Sequence, residues 1–128
     1  MTRPFHVAIA SLMLSMPALA QACDAPVDTK TGTVEVVTFR LADGNDAAAF
    51  REAAAGTMPF LCATDGFLRR TLSVDADGLW TDHVEWADEA SATAAAEAAM
   101  AEPGMAPFMT AIDPDTMSFR YATPVALE

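Results

Sequence analysis

The sequence predicts a small α+β domain in which one strand–helix–strand unit occurs twice. The segment Pro-Phe-Leu-Cys-Ala-Thr-Asp at 59–65 returns as Pro-Phe-Met-Thr-Ala-Ile-Asp at 107–113, and each copy ends an alanine-rich, helix-like stretch. Each of those stretches follows a strand-like run that closes in Ala-Asp, at 42–43 and again at 87–88. A repeated unit of this kind is typical of one small α+β architecture.

The first half of the chain predicts a strand followed by a helix. Residues 33–41 are mostly β-branched or aromatic, which favours a strand. An acidic turn follows, in which Asp46 can cap a helix by accepting a hydrogen bond from a free backbone N–H. The helix is predicted over 47–62, with a kink or break near Gly56 because Pro59 lies inside the run.

The second half repeats the pattern after a hairpin. The turn places Gly78 where a positive φ is expected, and Asp88 can cap the second helix. The predicted elements are a strand at 67–74, a strand at 79–86, a helix at 90–101, a short helical turn at 107–112 and a strand at 116–121. The order β-α-β-β-α-β predicts a ferredoxin-like domain at 33–122, with a four-stranded antiparallel sheet and a C-terminal tail at 123–128.

Residues 1–20 have the pattern of a secretory signal peptide. A positive charge at Arg3 precedes an apolar run at 7–16, and small residues at 18–20 fit a cleavage site. The apolar run is too short to span a bilayer, and no later run is long enough, so no transmembrane segment is expected. The sequence therefore predicts an exported, periplasmic protein.

The mature chain would begin with an N-terminal tail at 21–32. Cleavage after Ala22 is an alternative, and it would leave Cys23 as the first residue and a candidate for lipid anchoring. Without Arg3, the 7 Lys and Arg residues become six, against 18 Asp and Glu residues. So acidic a domain is not expected to bind nucleic acid or an anionic membrane, because both need a basic patch.

Cys23 and Cys62 are expected to form a disulfide in an oxidising compartment. The predicted helix runs back along its strand, so its end, with Cys62, returns near the start of the strand. Such a bridge stabilises a domain by about 3–4 kcal/mol in the chain-entropy description. The alternative is a lipidated Cys23 with a buried free thiol at Cys62. No Cys-x-x-Cys pair indicates a redox or zinc motif.

Strand alternation separates the residues of the sheet into two faces. The apolar set is expected to pack under the helices and comprises Val37, Phe39, Leu41, Leu68, Leu72, Val74, Val84, Trp86, Phe119 and Tyr121. Asp82 falls on the same face, and a buried carboxylate needs a partner. Arg70 points to that side too, so the two are predicted to form a structural ion pair.

The opposite face is polar and gathers basic residues in an otherwise acidic chain. It carries Thr38, Arg40, Arg69, Thr71, Ser73, Thr81, His83, Glu85, Ser118 and Arg120. One interpretation is a solvated face with cross-strand ion pairs. The other is a ligand site covered by a second copy of the chain, with His83 and Glu85 as proton-transfer residues. The substrate-binding residues would then be Arg40, Arg69, Thr71 and Arg120.

Neither a metal nor a cofactor is expected. His83 is the one histidine outside the predicted signal peptide, which excludes the usual multi-histidine sites but leaves a carboxylate-rich site open. The methionines after the signal peptide are interpreted as flexible core fillers. The sequence has no phosphate loop, nucleophile elbow or dinucleotide fingerprint.

The order of several short motifs resembles the antibiotic biosynthesis monooxygenase-like (ABM) family of the dimeric α+β barrel superfamily. The motifs span residues 34–121 and are the acidic turn at 43–46, Phe50, Gly66-Phe67, and Glu85-Trp86 with Asp88 beyond. The resemblance implies a homodimer whose sheets face each other and enclose small cavities. Some members oxygenate polycyclic aromatic or quinol substrates without metal or flavin, and some degrade haem with an asparagine, a tryptophan and a histidine.

The resemblance thus implies a cofactor-independent monooxygenase or a related small-molecule enzyme, with a small aromatic or quinol-like ligand. Haem degradation is not expected, because the first strand has no asparagine and His83 lies on a strand. The alternative is a non-catalytic ligand-binding or stress-related dimeric module. A third possibility is a structural dimer without a ligand.

Overall fold

The computed structural model describes residues 23–128, so the predicted signal peptide lies outside the described residues. The described chain folds into a four-stranded antiparallel sheet with helices on one face. Its main elements are β1 (Thr33–Phe39), α1 (Ala47–Gly56), α2 (Met58–Ala63), β2 (Phe67–Val74), β3 (Trp80–Trp86), α3 (Glu89–Ala99), α4 (Ala106–Thr110) and β4 (Ser118–Ala122). Two short 3-10 turns, Pro103–Met105 and Pro114–Thr116, precede α4 and β4.

The sheet order is β2-β3-β1-β4, with every neighbouring pair antiparallel. This order and the observed β-α-β-β-α-β succession confirm the predicted ferredoxin-like fold. β2 and β4 are therefore the edge strands. A register shift between Phe67 and Arg69 marks a bulge at the start of β2.

The local signals for turns and caps are confirmed. Asp46 accepts a hydrogen bond from the Ala49 N–H at 2.7 Å, and Gly78 has the positive φ of 82° that its turn requires. The first helix is interrupted at Thr57, as expected from Pro59 at the start of α2. The break lets the chain turn before it returns to the sheet.

Strand β1 is shorter than predicted and ends at Phe39, opposite the first residue of β3. Beyond that point the Arg40 N–H donates to the hydroxyl of Thr116 at 2.9 Å. Leu41 forms only an isolated bridge with Ile112. The strand stops because β3 offers no further partner.

The core lies between the sheet and the helices, in two clusters. In one, Phe50 stacks on Phe108, with ring centroids 5.2 Å apart, and meets Trp80 edge-on at 4.8 Å. In the other, Trp86 packs with Ala92 and Ala95 of α3, which are nearly inaccessible to solvent. The small alanine side chains let α3 approach the sheet closely.

Two residues predicted on the buried face are exposed. Val74 is 47% exposed and Phe119 is 46% exposed, so neither is buried under the helices as expected, although Phe119 pairs with Val37 on the predicted face. Both belong to edge strands, where cover by the helices is incomplete. Tyr121, also on β4, is only half-buried.

The predicted disulfide joins Cys23 to Cys62, with Cα atoms 5.6 Å apart. The alternative of a free thiol at Cys62 is therefore wrong. The bridge ties the start of the described chain to α2, and the Ala25 N–H donates to the Leu68 carbonyl at 2.7 Å. The Gly32 N–H donates to the Trp86 carbonyl at 2.9 Å, where a Cβ would collide with the Ala87 carbonyl. Within residues 23–128, no helix is long and apolar enough to cross a membrane.

Candidate functional site

A cavity of about 250 Å³ lies between the sheet and the segment that runs from α3 to β4. Thirteen of its seventeen lining residues are aliphatic, aromatic or thioether side chains. The polar exceptions are Glu35, Thr57, Arg70 and Asp82. An apolar cavity with a few convergent polar groups is the usual form of a small-molecule site.

Glu35 is the polar group that stands out in this cavity. It lies on the helix-facing side of β1, between Val84 of β3 and Tyr121 of β4. Burial raises the pKa of its carboxyl to about 7, and the negative charge of Asp82 adds to the increase. At neutral pH the carboxyl is therefore divided between its acid and base forms, which suits a group that transfers protons.

The indole of Trp86 lies behind Glu35 and is 1% exposed. Its N–H makes no hydrogen bond with any described residue, which is unusual for a buried donor. The indole is nonetheless close enough to Glu35 for its N–H to lower the carboxyl pKa slightly, against the larger effect of burial. It can therefore hold the ionised form of Glu35.

Arg70 and Asp82 form the predicted ion pair on the cavity wall. The guanidinium donates through Nε to one carboxylate oxygen at 2.8 Å and through Nη2 to the other at 2.6 Å. Nη1 donates to the Thr57 hydroxyl at 2.8 Å. Because both side chains are almost fully buried, removing either partner alone is expected to cost about 3–5 kcal/mol.

Glu35, Arg70 and Asp82 are the ionisable groups that set the charge of the cavity. With Glu35 ionised, two carboxylates face one guanidinium and the net charge is −1; with Glu35 protonated it is zero. An anionic ligand would meet repulsion in the first state and no net attraction in the second. The arrangement disfavours an anion and suits a neutral ligand that can donate a hydrogen bond to Glu35.

Sequence reasoning missed Glu35, although the strand pattern contained the signal. Glu35 is in phase with Val37 and Phe39, which were assigned to the helix-facing side. A carboxylate on the helix-facing side of a strand must either be buried or line a cavity. The clustered basic residues indicated a site on the opposite face instead.

On that opposite face, Arg69 and Glu85 are bound to each other and to the N-terminal segment. The Arg69 guanidinium lies 3.0 Å from the Glu85 carboxylate and also donates to the Pro26 carbonyl at 2.9 Å. The Thr31 hydroxyl donates to Glu85 at 2.7 Å. Arg69, predicted to bind a substrate, and Glu85, predicted to transfer protons, thus fasten Pro26 and Thr31 of the N-terminal segment to the sheet.

Of the other predicted site residues, three lie in one row across the sheet and the fourth lies apart from them. Thr71 and His83 are paired across β2 and β3, and Arg120 lies in the same row on the far side of Val36. These three side chains make no hydrogen bond or ion pair with the described residues. Arg40 is not part of the row: it lies past the end of β1 and donates to the Asp77 carbonyl of the β2–β3 turn at 2.6 Å. A ligand role for any of these residues stays a prediction.

Comparisons with known proteins bear on the fold. No protein-family profile matches this chain, and no curated protein sequence matches it significantly. Among solved structures, a mutant of SnoaB, a cofactor-independent oxygenase from Streptomyces nogalater, is 21% identical with a TM-score of 0.59. The match covers 77% of this chain and 97% of SnoaB.

Two further solved structures have a similar fold at low sequence identity. The ActVA-Orf6 monooxygenase of Streptomyces coelicolor, solved with the ligand nanaomycin D, is 21% identical with a TM-score of 0.57, over 77% of this chain and 91% of its own. A Bordetella bronchiseptica protein, provisionally named an antibiotic biosynthesis monooxygenase, is 13% identical with a TM-score of 0.61. The match covers 74% of this chain and 99% of the Bordetella protein. The chain therefore has the fold of the ABM-like monooxygenases, which confirms the predicted resemblance at the level of the fold.

Proposed function

We propose that the cavity is the active site of a small-molecule enzyme of the cofactor-independent monooxygenase type, with Glu35 as the general base. The observation that carries this proposal is a carboxyl whose pKa is about 7 in a mostly apolar cavity. A general base works best when its pKa lies near the working pH. The similarity of fold to SnoaB and ActVA-Orf6 supports the choice of reaction class.

The proposed substrate is a small, neutral aromatic compound of the phenol or quinol class. The apolar wall, including Phe39 and Phe108, suits a flat ring, and the charge of the cavity disfavours an anion. Glu35 would remove a proton from a ring hydroxyl or an acidified C–H. Trp86 is the proposed positioning residue, because its free N–H can hold the carboxylate.

The electrons of the proposed reaction come from the substrate. Loss of the proton leaves an electron-rich anion that can reduce O2. When a ring CH2, which a phenol carries in its keto tautomer, becomes C=O, one oxygen atom of O2 enters the product and the other leaves as water with the two hydrogens. The four electrons that O2 accepts are those that the carbon loses, so the balance needs no further reductant.

The test is oxygen consumption with a panel of quinols and phenols, comparing wild type with Glu35→Gln. Loss of the base is expected to lower turnover by about 10²–10⁴-fold. Glu52→Gln is the matched control, because Glu52 is an exposed glutamate of α1 outside the cavity. If wild type turns over none of the panel, the enzyme proposal fails; if it binds the compounds without turnover, the ligand-binding alternative replaces it.

We also propose that the polar face of the sheet packs against a second copy of the chain. The described helices lie on the other face, so the polar face is not covered by them. Half-buried Val34 and Val36 on β1 give this face an apolar centre. Thr71, His83 and Arg120 would then lie at the interface, where the predicted ligand role of His83 and Glu85 would have to be sought.

Export to an oxidising compartment is a further proposal. The disulfide between Cys23 and Cys62 supports it, because such bridges persist outside the reducing cytosol. With cleavage after Ala20, Cys23 is the third residue of the mature chain and is occupied in the bridge. Lipid anchoring through Cys23 would require its sulfur to be outside the disulfide, as a free thiol that can be lipidated.

A further inference from the structure

Four methionines lie around the mouth of the cavity: Met100, Met105, Met109 and Met117. Met100 is 79% exposed, Met109 41% and Met117 43%. A methionine that only fills a core is buried, and methionines are among the residues most often found inside. Core filling, which the sequence suggested for these residues, therefore accounts for Met105, which packs against the core, but not for the exposed Met100, Met109 and Met117.

The local structure explains why these side chains line one cavity. All four lie in the segment 100–117, which connects α3 to β4. Met105 immediately precedes α4 and Met109 follows four residues later, so the two share a helical face. Met100 ends α3 and Met117 leads into β4. Each side chain has three rotatable bonds, which allows the sulfur atoms to converge on one point.

Thioether sulfur is a soft and neutral ligand, and it selects soft monovalent cations such as Cu(I) and Ag(I). Elsewhere in residues 23–128, Met58 is a further thioether, but it lies outside the cavity lining and its sulfur accepts a hydrogen bond from Arg70; the other soft donors are occupied or distant. Cys23 and Cys62 are consumed by their disulfide, and no other cysteine is present. His83, the one histidine of this part of the chain, lies on the opposite face of the sheet. A soft cation therefore finds its donors concentrated at the cavity mouth.

The charge of the protein favours a cation at this position. Glu35 and Asp82 line the same cavity against the single guanidinium of Arg70. The whole chain carries a formal net charge of −11. Such a field raises the local concentration of cations, although the selection between soft and hard ions comes from the sulfur atoms.

We propose that Met100, Met105, Met109 and Met117 bind one soft monovalent metal ion, Cu(I) or Ag(I), at the mouth of the cavity. This site departs from the sequence-based expectation of a protein without metal. It does not depend on the oxygenase proposal, because its ligands are the thioethers rather than Glu35.

The test is a competition titration of the disulfide-bonded protein with Cu(I), carried out without oxygen and without thiol reductants. Bicinchoninate, which forms a coloured Cu(I) complex, serves as the competitor. Wild type is expected to withdraw one equivalent of Cu(I) from the dye. The triple variant Met100→Leu, Met109→Leu, Met117→Leu is expected to lose this withdrawal, and Met58→Leu, the matched control outside the cavity lining, to keep it.

Leucine preserves the size and apolar character of the replaced side chains, so the triple variant should remain folded, as circular dichroism will check. Methyl-labelled methionine NMR with Ag(I) gives a second readout on the unmodified protein. The methyl signals of the four mouth residues should shift and that of Met58 should not. Equal Cu(I) withdrawal by the triple variant, or none by wild type, would overturn the metal site. Either result leaves the oxygenase proposal to its own test of turnover.

Discussion

Glu35 and Asp82 are both carboxyls of the cavity, but their surroundings differ. Asp82 has the Arg70 guanidinium at hydrogen-bonding distance through both of its oxygens. Glu35 has no ion-pair partner among the described residues, and its pKa is raised to about 7 mainly by burial. One carboxyl is thus held in an ion pair as part of the wall, and the other is free to exchange a proton near neutral pH.

A raised pKa also has a consequence for stability. The folded protein holds the Glu35 proton more tightly than the unfolded chain, whose carboxyl has the ordinary value of 4.5. The contribution of Glu35 to stability is therefore fully present below about pH 4.5, falls as the pH rises, and is lost above about pH 7.

Glu35→Gln should remove this pH dependence. Between about pH 5 and about pH 8, wild type is expected to lose up to about 3 kcal/mol of unfolding free energy that the variant keeps. Urea denaturation at the two pH values measures the difference, with Glu52→Gln as the control for loss of an exposed glutamate. Parallel stability curves for wild type and Glu35→Gln would show that burial does not perturb this carboxyl.

At the scale of elements, sequence periodicity and local signals predicted most of the fold. Capping by Asp46, the break before Pro59 and the turn at Gly78 each depend on neighbouring residues, so they can be recognised without tertiary information. The ends of β1 and β4 were less predictable, because a strand stops where its partner stops. That is a property of the sheet rather than of the strand.

The candidate site was only partly predictable for the same reason. Alternation correctly placed Arg70 and Asp82 together on the helix-facing side, and the same rule applied to Glu35 would have flagged a third ionisable group there. The cavity itself depends on how far the segment between α3 and β4 stands from the sheet, which no periodicity reports. Nor does the sequence indicate that Arg69 and Glu85 are bound to the N-terminal segment.

At the scale of the whole molecule, the proposed dimer and the proposed export can be tested together. Native mass spectrometry of the protein recovered from the periplasm should give the mass of two chains, each beginning at Gln21 and each with its disulfide intact. The expectation follows from the uncovered polar face and from the observed bridge. A monomer would contradict the dimer, and a chain that retains residues 1–20 or carries a lipid would contradict cleavage after Ala20.

A variant of the polar face identifies the surface that pairs. Val36 lies between His83 and Arg120 in the register, so Val36→Arg would bury an unpaired charge in the interface and should convert dimer to monomer. Ala55→Arg, on the exposed side of α1, is the matched control and should leave the mass unchanged. A Val36→Arg protein that stays dimeric would place the interface elsewhere.

The proposed chemistry depends on a carboxyl in the cavity that is poised near neutral pH. The direct measurement is an NMR titration of the 13C-labelled glutamate carboxyl groups, with the Glu35 signal assigned by its absence from Glu35→Gln. We expect a midpoint at about 7, set by burial and by the charge of Asp82. A midpoint close to the ordinary value of 4.5 would contradict the account, because Glu35 would then be fully ionised and solvated at neutral pH.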